Sequence, residues 1–210
     1  MIARAAREIA PGMVVNLGIG MPTKVVDYLS DQFPVCLHTE NGLTGVGPSV
    51  SADKADRNLI DAGGAYVSTV PGSAFFDSAV SFSLVRSGRL DLTMLGAFEV
   101  SQAGDLANWK IPGKFSPGAG GGIELAQKAR RVVVLTTHTD RKGQPKLLST
   151  CTLPLTARGC VDRIFTDMAV VDLTDAGFVL REIAKSVCIK DVIAATGAPL
   201  VVPDGEIPVF

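Results

Sequence analysis

Met13-Val-Val-Asn-Leu17 runs into Gly18-Ile-Gly20-Met-Pro22, after which Val25, Val26 and Leu29 share one helical face and Val35 to His38 begins a second apolar run. A short apolar run bounded by glycines reads as a buried strand, and Pro22 suits the first turn of a helix. Strand, turn, helix, strand is the unit of a parallel sheet. The same alternation continues outward. Ile2, Ala5, Ala6 and Ile9 fall at helical spacing before Pro11-Gly12. Downstream, Ala65 to Val70 reads as a strand, Phe75 to Val85 as a helix stopped by Gly88, and Leu90 to Leu95 as a buried strand. Ile123 to Lys128 follows as a helix, Val132 to Thr136 as a strand and Asp140 to Pro145 as a polar turn. The tail offers strands at Met168 to Leu173 and Phe178 to Glu182 and a helix at Lys190 to Ala195. The pattern predicts an α/β fold, a mainly parallel sheet covered on both faces, with the last strands antiparallel.

The 210 residues fit a single domain spanning 1–210. A net charge of −1 supplies no field to gather phosphates along a duplex, so nucleic acid is not an expected partner. No window of 18 apolar residues exists, and Arg4, Arg7 and Glu8 interrupt any leader-like stretch, so the expectation is a cytoplasmic protein without a membrane span. Cys36, Cys151, Cys160 and Cys188 form no C-x-x-C pair and are expected as buried, reduced thiols. Only His38 and His138 could join a His-rich metal site, which argues for metal-free chemistry.

Gly18-x-Gly20 between strand and helix has the outline of a dinucleotide fingerprint, with Glu40 twenty residues on. The third glycine of that fingerprint is Thr23, and Pro22 removes an N–H that a pyrophosphate would use, so a tight turn explains the pair better. Glu40 is the sharper signal. It ends a strand and opens Asn41-Gly42-Leu-Thr-Gly45-Val-Gly47-Pro48, a segment whose breakers predict a loop from Thr39 to Pro48. A carboxylate at the carboxyl end of a sheet strand can act as base, metal ligand or nucleophile, and the scarcity of His favours the nucleophile. The alternative is a solvated Glu beside an Asn-Gly turn. A second loop, Pro112 to Gly122, ends in Gly118-Ala-Gly120-Gly121-Gly122 and opens a helix. Its backbone N–H groups suit an oxyanion, and its composition equally suits a hinge.

Longer motifs carry more information. Val15-Asn-Leu-Gly-Ile-Gly-Met-Pro-Thr23, Glu40-Asn-Gly-Leu-Thr-Gly-Val-Gly-Pro48, Phe76-Asp-Ser78, Gly104-Asp-Leu-Ala-Asn-Trp109, Ile111-Pro-Gly-Lys114 and Cys151-Thr-Leu-Pro-Leu-Thr156 stand in one order along the chain. Together they resemble the B subunit of the family I 3-oxoacid CoA-transferases over nearly the whole length. The resemblance implies a three-layer α/β sandwich, the fold shared with ribose-5-phosphate isomerase. It also implies transfer of CoA from an acyl-CoA, such as succinyl-CoA or acetyl-CoA, to a 3-oxoacid such as acetoacetate or 3-oxoadipate. Glu40 would be the nucleophile, passing through a glutamyl-CoA thioester, and Gly121 would supply an oxyanion N–H beside Gly120. Asn16, Asn41 and Asn108 become candidates for orienting Glu40 or substrate, with Gly18 and Gly20 lining the same site.

Coenzyme A thioesters would be substrates, with no permanently bound cofactor and no metal. A separate A subunit would complete a heterodimer or heterotetramer, and homodimers of the isolated chain are compatible with a hydrophobic content of 47%. Many members read Met-Gly-Gly-Ala-Met-Asp where this chain has Ala119-Gly-Gly-Gly-Ile-Glu124; Thr44 replaces a common Leu or Met, and Gly64 stands where some carry a Lys. The resemblance places that Lys near CoA; the departures leave the implied reaction intact and bear on acyl specificity. Two other classes share the fold. A sugar-phosphate isomerase would need a proton-transfer pair and a phosphate cradle, for which no Lys or His is expected beside either glycine loop; a non-catalytic ligand sensor would need neither.

Overall fold

Val132 to Leu135 has four consecutive buried side chains, which only a strand covered on both faces can accommodate. The computed structural model describes residues 1–210 except Asp31 and Pro117. The strands are β1 (Val14–Leu17), β2 (Cys36–Thr39), β3 (Leu43–Ser49), β4 (Val67–Phe75), β5 (Leu92–Gly96), β6 (Glu99–Ser101), β7 (Leu106–Ala107), β8 (Val132–Leu135), β9 (Leu147–Leu148), β10 (Arg163–Phe165), β11 (Ala169–Thr174), β12 (Gly177–Ile183) and β13 (Leu200–Val201). The helices are α1 (Ile2–Ala6), α2 (Ser78–Arg86), α3 (Gly122–Lys128) and α4 (Ile189–Ala195), with a 3-10 helix over Pro22–Tyr28.

Ten strands form one sheet in the order β13-β12-β11-β10-β8-β5-β1-β2-β3-β4. The centre, β10-β8-β5-β1-β2, is parallel. Antiparallel pairs extend it, β3 and β4 beyond β2, and β11 and β12 beyond β10. Strands β7, β6 and β9 make a separate small sheet.

Alternation along the central strands builds two cores. Val15, Leu92, Met94, Val133, Leu135 and Phe165 face Ala5, Ala6 and Ile9 at the N-terminus and Val25 of the 3-10 helix. Leu95, Val132, Val134 and Ile164 face the other way, onto Val85 of α2 and Leu125 and Ala126 of α3. The three-layer sandwich follows from this period of two.

Several local expectations are corrected. Thr39 to Pro48 is not a loop: after a turn at Glu40 to Gly42 the chain returns as β3, antiparallel to β2. Its glycines mark close backbone approach inside a strand. A Cβ on Gly45, whose φ is +73°, would lie 2.9 Å from Ser73, and the register shifts there. The helix expected from Phe75 starts only at Ser78, because Asp77 accepts a hydrogen bond from the Val80 N–H and caps it; β4 runs through Phe75 instead. The helix after Pro22 is 3-10, not α. Cys188 is exposed, while Cys36, Cys151 and Cys160 are only partly buried. The expected loop from Pro112 includes Pro117, which lies outside the described residues.

Charge ties the N-terminal segment to the sheet. Glu8 pairs with Arg4, Arg131 and Arg163, while Asp172 pairs with Arg163 and Arg181. Burial pushes the Glu8 and Asp172 carboxyls up, but the neighbouring guanidinium groups outweigh it and hold both below the usual range. His138 is fully buried between Thr166 and Thr196. The Thr196 hydroxyl donates to the Val192 carbonyl, so it accepts from His138 Nε2–H; Thr166 Oγ1 already accepts from the Met168 and Ala169 N–H groups, so it meets Nδ1 as a donor, its proton shared with the Ala169 carbonyl. Burial pulls His138 and His38 down to about 4, against 6.5 for a free imidazole.

Between those values the unfolded chain binds protons that the folded chain refuses, so stability rises with pH across that window. Lowering the pH from 6.5 to 4 should therefore remove roughly 3 kcal/mol per histidine, with Glu8 and Asp172 adding their loss only below the usual carboxyl range. Urea unfolding at pH 7, 6, 5 and 4 checks this. The midpoint should fall steadily, and His138→Gln should flatten the fall by about half; a midpoint constant from pH 7 to 5 would refute the assignment.

Candidate active site

From β1 the chain crosses to β2 on one side, whereas from β5 it crosses to β8 on the other. Connections that diverge in this way open a crevice at the carboxyl ends of the two strands, the usual ligand position in a parallel sheet. A cleft of about 690 Å³ lies there, and its walls include Gly18, Gly20, Glu40, Gly96, Asn108, Gly120 and Gly121.

Glu40 is the first residue beyond β2 and is half-buried. Its support comes from β1, where Asn16 lies in register with His38. Asn16 is fully buried, and its Nδ2 donates to Glu40 Oε2 at 3.1 Å and to the His38 carbonyl at 3.2 Å. On the opposite side the Thr93 hydroxyl of β5 donates to Asn16 Oδ1 at 3.4 Å. That contact sets the amide so that its NH2 group, not its oxygen, faces the carboxylate. Beneath it, His38 Nδ1 lies 3.4 Å from Asn16 Nδ2 and Nε2 lies 2.9 Å from Ser81 Oγ on α2. Asn16 Nδ2 spends its two protons on Glu40 and the His38 carbonyl and cannot accept one from the ring, so Nδ1 is the unprotonated nitrogen and the ring proton sits on Nε2. With its pKa lowered by burial, His38 is neutral at pH 7 and turned to Ser81, so it buttresses the carboxylate through Asn16.

The second wall is the start of α3. Gly121 is its N-cap, and a Cβ built there would lie 3.1 Å from Glu40 Cγ and 3.1 Å from Phe82 Cε1. A side chain there would have to push Glu40 or Phe82 aside by a few tenths of an ångström, so the glycine lets the main chain pass close to both without disturbing the carboxylate. Among the described residues the Gly121 N–H has no protein acceptor, while Gly122 N–H donates to the Ala119 carbonyl.

The remaining candidates have various settings. Gly18 packs against β5, where a Cβ would lie 3.1 Å from the Met94 carbonyl oxygen, and Gly20 closes a turn tied by the Thr23 hydroxyl to its carbonyl at 2.8 Å. Asn108 braces the cleft wall, its Nδ2 donating to the Gly96 carbonyl and its Oδ1 accepting from Thr156. Asn41 is exposed and turns away from the cleft lining, its Oδ1 accepting from Thr39 and its Nδ2 donating to the Ile60 carbonyl. It holds the segment before β4 rather than the carboxylate.

Two lysines overturn the expectation that none stands near the glycine loops: Lys114 and Lys146 both line the cleft with Glu40. Lys146 lies just before β9, brought there by the turn in which Thr139 bridges Pro145. No spacing in the sequence signals that return. Among the described residues no group of three His, Cys, Asp or Glu side chains is placed to hold a metal ion, and no helix is long and apolar enough to cross a membrane.

Comparison with known proteins adds a family to this geometry. The family model described as coenzyme A transferase matches residues 1–195. The chain is 49% identical over 197 residues to the beta subunit of a probable coenzyme A transferase of Bacillus subtilis, covering 94% of this chain and 91% of that one. It is 46% identical over 202 residues to the B subunit of the 3-oxoadipate CoA-transferase of Pseudomonas putida, covering 96% and 94%. Among solved structures, an acyl-CoA transferase from Escherichia coli O157:H7, in a thioester complex with CoA, superposes with a TM-score of 0.79 at 23% identity. That match covers all of this chain but only 42% of the Escherichia coli chain, and it speaks for the fold.

Replacing Asn16 should be costly. Asn16→Ala leaves Glu40 and the His38 carbonyl without their buried donor, a loss of about 1–3 kcal/mol in urea unfolding. Asn16→Asp should destabilise further at pH 7 than at pH 4, because it sets a second carboxylate against Glu40. Equal stability of Asn16→Asp at both values, each measured against the unmutated chain, would show that the two groups do not interact.

Proposed function

The chain belongs to the coenzyme A transferase family, and from that premise we propose that it is the B subunit of a 3-oxoacid CoA-transferase, one domain over residues 1–210, with Glu40 as its nucleophile. The observation that carries the reading is a single carboxylate held at a parallel-sheet crevice, with an amide donor on one side and a glycine main chain on the other.

The chemistry needs little else. A Glu40 oxygen attacks the carbonyl carbon of the donor thioester, the C–S bond breaks, and CoA leaves as a thiolate from an acyl-glutamyl anhydride. The thiolate then attacks the glutamyl carbonyl, releasing the donor acid as a carboxylate and leaving a glutamyl-CoA thioester. A 3-oxoacid carboxylate attacks that thioester, the thiolate returns to the acceptor's acyl carbon, and Glu40 regains its charge. No proton is transferred at any step, so a neutral His38 facing Ser81 is consistent with the scheme. Each addition places negative charge on a carbonyl oxygen, and the Gly121 N–H, seconded by Gly120, is the donor we assign to it. Asn16 aims the attacking oxygen, while Gly18, Gly20 and Asn108 shape the acyl side of the cleft; Asn41 serves indirectly, by bracing the turn that carries Glu40.

A partner A subunit fits the rim of the cleft, where Ile19, Phe98 and Phe115 are exposed, Phe115 at 93%. The relatives named as beta and B subunits support the same division of labour. CoA thioesters enter as substrates, without a resident cofactor.

Incubating the co-purified A and B subunits with acyl-CoA should add the mass of CoA to the peptide bearing Glu40. A modified residue elsewhere, or wild-type turnover in Glu40→Ala, would refute the assignment. Glu40→Asp should lose at least ~10²-fold in kcat, because the shorter arm misplaces the oxygen by about 1 Å. Gly121→Val should cost ~10²–10³-fold in kcat with less effect on folding, as expected for one lost oxyanion donor. Full turnover in a folded Gly121→Val would move that role to another residue.

A further inference from the structure

Lys146 is a cation that this reaction scheme does not use. Its Nζ donates to Thr136 Oγ1 at 3.0 Å and to Thr137 Oγ1 at 2.8 Å, leaving one of three N–H bonds uncommitted. Among the described residues it makes no ion pair; Asp140 and Asp167 act on it only through their field. Two hydroxyls do not neutralise a half-buried ammonium, and burial holds it below the usual lysine range. The side chain is also held in place. Thr136 is anchored by donating to the Ala97 carbonyl, and the Lys146 main chain bonds His138 and Val100 on either side. A cation so fixed beside Leu95, Phe98 and Leu125 in the cleft is suited to a carboxylate brought by a ligand.

The sheet sets the length of that ligand. Glu40's carboxylate rests on Asn16 of β1, and Lys146 Nζ rests on Thr136 at the end of β8, two strands away in the order β8-β5-β1. Two strand spacings are ~10 Å. An attacking oxygen meets its acyl carbon at ~3 Å, and an ammonium meets a carboxylate oxygen at ~2.8 Å. What remains, ~4 Å between the acyl carbon and the far carboxylate oxygen, is the span of an acyl chain of roughly three to four carbons.

We propose that Lys146 is a specificity-determining residue that binds a terminal carboxylate on the acyl group, so that the cleft selects acyl-CoA donors or acceptors derived from short dicarboxylic acids. The proposal rests on Glu40 as the nucleophile, and its test separates the two. Succinyl-CoA and butyryl-CoA have the same number of acyl carbons and differ in the terminal carboxylate. With the A and B subunits together, the rate of Glu40–CoA adduct formation is measured for each, in the unmutated protein, Lys146→Met and Lys146→Arg. Lys146→Met should lower the succinyl-to-butyryl ratio of kcat/KM about ten- to a hundredfold, the cost of one charge-assisted hydrogen bond, and Lys146→Arg should restore part of it. An unchanged ratio, or equal loss with both donors, overturns the anchor. If the unmutated protein forms no adduct on Glu40, the nucleophile reading fails, and the anchor is then judged by equilibrium binding of free succinate against butyrate. Selective succinate binding that Lys146→Met abolishes upholds it, and absence of that selectivity ends it.

Discussion

A carboxylate poised to attack an acyl group must be partly withdrawn from water and still be held by a donor that does not take away its charge. For Glu40, the nucleophile we propose, that requirement is met by one buried amide. Asn16 reaches from β1 to Glu40 at the end of β2, and it can do so because the two strands are parallel and in register at His38. A lysine or a charged histidine in the same place would neutralise the carboxylate. A neutral amide oriented by Thr93 holds it without doing so.

The rest of the architecture serves this contact. Parallel central strands put the ends of β1, β2 and β5 on one rim of the sheet, so residues distant in sequence meet there. Helix α3 then starts against the carboxylate, a close approach that the missing Cβ of Gly121 permits. The layer beneath is polar where it matters: His38 and Ser81 continue the hydrogen-bond chain into α2 and join the site to the second core. The ion pairs of Glu8, Arg163 and Asp172 stabilise the opposite end of the sheet, away from Glu40.

Local periodicity misread several elements for physical reasons that recur. The glycines of Leu43–Ser49 were breakers in the one-dimensional reading, yet each can sit in a strand when a neighbouring strand packs against its missing side chain. Phe75 and Phe76 continued the apolar helical pattern, but Asp77 decided where the helix begins. The three residues of β10 and the two each of β7, β9 and β13 are too short to show a period at all.

The sequence by itself determined the α/β class and the doubly covered central strands, and it marked Glu40 and the glycine loop as candidates, because buried strands, turns and a carboxylate after a strand are local features that residue type imposes. Tertiary structure alone decided the partner of each. That Asn16 and not Asn41 supports Glu40, that His38 faces Ser81, and that Lys146 enters the same cleft follow from strand order and register. Those are properties of chain segments far apart along the backbone, and no local pattern carries them.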